Sequence, residues 1–277
     1  MRTAQVLGTV AMLLPSVAVL ITRLATKEGF KNNYLGFSLK GKWKYYLISV
    51  FIKPVEALIL IVLLRFVVLK DMSLSELVGN DLLQGAALFL LQFAFSVYAF
   101  FPAFGEEWGW RGYMMPKLTE LMGRPAAVIV GGIIWGLWHA PMTVQGHNFG
   151  VDYPGYPYVG IALMCVFCIA MNALLTWLTE RTGSIYPASF CHMINNDCNL
   201  IIVCSLFLSE QAIAKISAAG VVELFLYSLP VQLTIALYAL CCCAKNRKSP
   251  LDYICFQLKN DLVFGLFFAP KVSQKAG

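Results

Sequence analysis

What this chain has least of is charge. Only 13% of its 277 residues are Asp, Glu, Lys or Arg, against 59% hydrophobic, whereas soluble globular proteins carry about 25% charged residues. With a mean hydropathy of +0.70, that shortage excludes an ordinary soluble domain and points to a chain that lives in lipid. The nine cysteines show no CxxC pair and no paired spacing, which excludes a zinc framework or disulfide scaffold; they read as small buried hydrophobes. For Cys241-Cys242-Cys243, at a membrane edge, packing is favoured over acylation. Internal repeats and low-complexity tracts are missing. So is a small-residue cleavage site behind the first apolar run, which therefore reads as a retained helix and not a signal peptide. The net charge of +6 calls for no nucleic-acid partner, because cationic loops on one membrane face account for it.

What is present is a series of apolar segments. Seven are long enough to cross, near Thr3–Thr22, Tyr45–Val67, Gln92–Pro116, Ala126–Met142, Tyr158–Leu178, Ile185–Leu208 and Val221–Ala244, with Leu82–Leu91 extending the third. An eighth, short or re-entrant segment at Asp261–Ala269 stays open. A lipid-exposed chain must satisfy its backbone polar groups within each segment, so the expected fold is an all-α polytopic helical bundle. It is read as one integral membrane domain over residues 1–277, with residues 82–208 as its core. Sixteen of the 21 basic residues fall on alternate connections, which places the N-terminus outside and the C-terminus in the cytoplasm. The connection Thr143–Pro157 has no Lys or Arg, and its His147 reads as ordinary surface.

Against that background three polar clusters stand out. The first is Glu106-Glu107-x-x-x-Arg111, preceded by 24 uncharged residues after Asp81, more than the roughly 20 that span a bilayer. A charge at bilayer depth costs at least ~2.5 kcal/mol, so an intramembrane ionisable residue marks a functional site by default. Glu107 and Arg111 are i,i+4 and share a helix face, while Glu106 is rotated by about 100°. Glu107 is therefore expected to pair with Arg111, and Glu106 to point elsewhere. The second cluster is Trp135-x-x-x-His139, again i,i+4, with Pro141 expected to end the regular helix shortly afterwards. The third is a stripe of Ser189, His192, Asn196 and Asn199 with Asp197 beside it, more than interhelical hydrogen-bonding glue requires.

A continuous helix from Leu82 to Pro116 would be ~52 Å long, well beyond a ~30 Å hydrocarbon core, so it must bend; Pro102, Gly105, Gly109 and Gly112 offer places. Counted from the cytoplasmic ends of their spans, Glu106, His139 and His192 lie ~15, ~20 and ~10 Å deep, close enough in depth for one site. A carboxylate in an apolar pocket suits a general base toward water, and a second His with an Asn amide suits donation to an oxyanion. The same His, His and Glu set could bind zinc, although the HExxH spacing that would favour zinc is missing.

Taken in order over roughly Phe101–Leu200, these three motifs resemble those of the CPBP family. Its members include CAAX prenyl endopeptidases and bacteriocin-processing or immunity-associated bacterial membrane proteins. The resemblance implies an intramembrane endopeptidase of helical-bundle architecture. Glu106 and His139 would activate the attacking water, His192 and Asn196 would stabilise the oxyanion, and Glu107 and Arg111 would hold the motif. Trp135 stands where the family more often carries Phe. The resemblance implies no cofactor, since Asn196 suits an oxyanion donor better than a metal ligand; the alternative is zinc held by Glu106, His139 and His192. Implied partners are the lipid bilayer and a peptide or membrane-protein substrate, prenylated or not, and the implied location is a bacterial cell membrane. Two other classes compete: a non-catalytic bacteriocin self-immunity protein that keeps the fold, and an ion-coupled transporter. Transporters commonly show paired broken helices in repeated halves, and no such symmetry is visible here.

Overall fold

The computed structural model describes residues 8–79, 82–197 and 200–243. The regular structure among the described residues is helical, with a single isolated β-bridge between Val78 and Leu208. The main helices are α1 (Leu14–Ala25), α2 (Trp43–Val67), α3 (Leu82–Phe95), α4 (Phe100–Gly109), α5 (Met115–Met122), α6 (Arg124–Trp138), α7 (Tyr158–Thr182), α8 (Tyr186–Asp197), α9 (Leu200–Phe207), α10 (Glu210–Ala218) and α11 (Val221–Cys243). The chain is a multi-pass integral membrane protein. Among the described residues, five helical runs are long and apolar enough to cross a bilayer: Gly8–Ala25, Trp43–Val67, Leu82–Met122, Tyr158–Thr182 and Val221–Cys242.

Two of the seven expected spans take a shorter form. The fourth is α6, 15 residues, or ~22 Å. Its regular part stops at Trp138 because Pro141 has no N–H and its ring collides with the carbonyl four residues back. The sixth is made of α8 and α9, on either side of Cys198 and Asn199, which lie outside the described residues. Residues 3–7 of the first span and the segment Asp261–Ala269 lie outside them as well.

The long third run changes winding twice. Ser96–Ala99 is a 3₁₀ turn, just where Pro102 denies the helix a donor. Trp110–Met114 is a π-helical turn whose following residue, Met115, bonds its N–H to the Trp110 carbonyl five residues back. Pro116 explains this widening, since a regular α-turn would press its ring on the Gly112 carbonyl. Single π turns of this kind are frequent at functional sites.

Close helix packing rests on glycine. Small residues let membrane helices approach backbone to backbone, and Gly132 and Gly136 of α6 lie directly on Ile169 and Cys165 of α7. Gly105 and Gly109 of α4 lie on Leu13 and Pro15 at the start of α1 in the same way. A methyl at Gly132 would strike the Ile169 backbone, whereas one at Gly36 meets nothing within 4 Å. Gly132→Ala is therefore expected to cost about 1–3 kcal/mol and to lower the melting temperature in detergent, while Gly36→Ala melts as wild type. Equal melting of the two variants would refute this packing.

At the centre lies α7, the most buried of the long helices. Its Cys168, Met171, Leu175 and Leu178 share one apolar core with Trp135 of α6 and with Ala188 and Cys191 of α8. Gly183, in the left-handed conformation at φ 66°, ends α7 and lets the chain turn back into α8. The connection after α1 straps the site's outer side. Tyr34 accepts from the Ile185 N–H at 2.9 Å, and Glu28 accepts from Tyr113 at 2.6 Å and Lys117 at 2.9 Å. Those two hydrogen bonds, Tyr113 first, pull the Glu28 carboxyl down to about 2.

Candidate active site

Glu106 and Glu107 occupy the last turn of α4 and are almost wholly buried, at 2% and 0% exposure. As i,i+4 geometry requires, Arg111 Nη1 donates to Glu107 Oε1 at 2.9 Å, with both side chains inaccessible to solvent. The guanidinium also lies 4.0 Å from the centroid of the Trp135 ring, a cation–π contact that is strongest where both partners are desolvated. Arg111 Nε and Nη2 and Glu107 Oε2 remain buried without hydrogen-bond partners. The expected division of labour therefore holds for the first pair.

Glu106 does point away from that pair, and its surroundings are indoles. Oε2 accepts from Trp110 Nε1 at 3.2 Å and from Trp135 Nε1 at 3.0 Å. Trp110 was not among the residues singled out above, yet it stands i,i+4 from Glu106 just as Arg111 stands from Glu107. Reading that second i,i+4 relation would have found it.

His139 begins the break after α6. Its Nδ1 lies 2.8 Å from the Trp135 carbonyl, and the Cys168 thiol is 4.0 Å from the same nitrogen. A ring held through Nδ1 presents Nε2 to the half-buried side of the residue. His192 is buried on α8, and its Nδ1 bonds Glu107 Oε1 at 2.8 Å. The second histidine is anchored by the structural acid, so Arg111, Glu107 and His192 form one chain. Glu107 thus holds α8 as well as its own helix.

Trp135 joins the three motifs. It donates to Glu106, its ring lies 5.9 Å from the His139 ring, and it meets His192 edge-on at 5.4 Å and 74°. The depth argument from the sequence is met at this indole. Ser189 is buried one turn before His192 and bonds the Ile185 carbonyl. Asn196, one turn after His192, is exposed and accepts from Asn195 Nδ2 at 3.4 Å. Asn199 lies outside the described residues, and His147 stays in the exposed loop before α7. Among the described residues no three His, Cys, Asp or Glu side chains stand close enough together to hold a metal ion.

A family comparison falls on this same segment. Residues 87–197 match the family of type II CAAX prenyl endopeptidases, Rce1-like. The CAAX prenyl protease 2 of Methanococcus maripaludis is 28% identical over 101 residues, covering 35% of this chain and 37% of that protein. The chain thus matches a little over a third of that relative's length. The matched segment carries Glu106, Glu107, Arg111, Trp135, His139, His192 and Asn196, and both findings support the CAAX protease family.

Proposed function

We propose that this membrane protein, whose residues 87–197 match the CAAX-type protease family, is an intramembrane endopeptidase that hydrolyses a peptide bond with a water activated by Glu106 and His139. The observation that carries the proposal is the position of Trp135, which touches Glu106, His139 and His192 at once. A buried carboxylate beside two imidazoles, walled by indoles, is a set of groups that can move a proton and meet a developing charge.

In the proposed reaction Glu106 Oε2 is fixed by two indole N–H groups, and Oε1 takes the proton of a water oriented by His139 Nε2. The hydroxide attacks the scissile carbonyl carbon. His192, held by Glu107 through Nδ1, and the Asn196 amide then stabilise the oxyanion. Glu106 then returns the proton to the leaving amine as the C–N bond breaks. No step requires a metal or other cofactor. Such a mechanism suits a peptide or a membrane-protein segment, prenylated or not.

The test is mass spectrometry of products from a panel of prenylated and unprenylated peptides incubated with purified protein. Cleavage at one bond, undiminished by strong chelators, is expected. Loss of cleavage on chelation, with recovery on adding zinc, would overturn the metal-free reading. No cleavage across the panel, together with protection of cells by Glu106→Ala protein, would favour a non-catalytic immunity partner.

A further inference from the structure

A second pair of buried charges lies outside the three motifs. Lys53 and Glu56 of α2 are each 7% exposed, and Lys53 Nζ lies 2.6 Å from Glu56 Oε2. Lys53 is ten residues into α2, or ~15 Å from its start, well inside an apolar helix long enough to cross a bilayer. A charge so placed is costly and calls for a reason. Pro54, between the two, leaves the helix short of one backbone hydrogen bond at the same level.

The pair faces the core and not lipid. Lys53 lies over the Phe167 ring of α7 at 5.8 Å. Lys53 and Glu56 line one small cavity with Met171 and Leu174 of α7 and Gln232 of α11. Gln232 Nε2 donates to Ser228 at 2.9 Å, while its Oε1 is buried without a partner. Beyond the cavity is α8, which packs against α2. Cys191, fully buried beside His192 on α8, lies within electrostatic reach of Lys53, Glu56, Glu107 and Arg111 alike. Tyr45, Ile48 and Ile52 of α2 pack on the core that contains Cys191. His192 is thus in contact with one ion pair, and its helix packs against the helix that carries the other.

We propose that Lys53 and Glu56, with Gln232 of α11, form a second intramembrane polar site that fixes α2 behind α8 and so positions His192 for the reaction proposed above. The inference rests on that reaction for its kinetic consequence but not for its structural one. Removing one partner leaves an uncompensated buried charge, whereas replacing both with apolar side chains of similar size is often neutral. Displacement of a catalytic group by about 1 Å can cost on the order of a hundredfold in rate.

The experiment uses full-length protein, a peptide that the wild type cleaves, and mass-spectrometric mapping of Cys191 labelling by a membrane-permeant maleimide. Lys53→Met and Glu56→Gln are each expected to lower kcat at least about tenfold with KM unchanged, and to expose Cys191 to label. Lys53→Met/Glu56→Leu should return kcat to near wild type and protect Cys191 again. If either single variant fails to fold while the double variant folds with Cys191 protected and kcat restored, the positioning role stands. Single variants with wild-type kcat and a protected Cys191 would overturn it. So would a double variant that folds, keeps Cys191 protected and is inactive, because the charges would then be needed for chemistry. If the wild type cleaves nothing, the proposed reaction fails, yet the labelling pattern still decides whether the pair holds α8.

Discussion

Glu106→Gln is expected to abolish peptide cleavage while the protein still folds and elutes as wild type in detergent. The change keeps the volume and the two indole contacts to the ε-oxygen position, and it removes the carboxylate that the proposed reaction uses to accept a proton from water. Loss of a general base typically costs about 10²–10⁴-fold. Here the loss should lie at the upper end, because the carboxylate also returns the proton to the leaving amine. His139→Ala is expected to match it, since the imidazole orients the same water. Steady-state cleavage of the peptide selected from the panel, read beside melting temperature, is the check. Wild-type-like turnover by either variant would remove both residues from the mechanism.

The largest effect on stability is expected at Arg111. Arg111→Ala leaves the Glu107 carboxylate buried with only His192 for company, and breaking a buried pair in this way costs about 3–5 kcal/mol. The truncation also removes the guanidinium from the face of Trp135. Arg111→Lys should rescue poorly, because an ammonium cannot both reach Glu107 and stack flat on the indole. Both variants should lose activity through a displaced His192 as well as through unfolding. Thermal unfolding of detergent-purified protein measures the first loss. An Arg111→Ala protein that melts as wild type would show that the ion pair does not hold the site.

The relation between sequence and site is clear for these residues. Helical arithmetic foresaw the Glu107–Arg111 pair and the outward turn of Glu106, because both lie within one helix where rotation per residue is known. The common depth of Glu106, His139 and His192 followed from segment ends, and it is met in Trp135. The partner of His192 did not follow. Whether it reaches Glu106 or Glu107 depends on how α8 is rotated against α4, and that rotation is set by packing between helices. The Gly105 and Gly109 contacts with α1 that fix the rotation of α4 involve a helix far outside the motifs. The π turn at Trp110–Met114 was also out of reach, since the same glycines and prolines equally permit a kink. The fold was legible as a helical membrane bundle from composition and apolar runs. The shortening of the fourth span was half legible, in Pro141.

The most direct test of the single hydrolytic site is cleavage of the selected peptide in ¹⁸O-labelled water, followed by mass spectrometry of both fragments. The account predicts one new carboxylate carrying one ¹⁸O atom at one bond with wild-type protein, and neither fragment with Glu106→Gln. Labelled product formed equally by wild type and Glu106→Gln would contradict it.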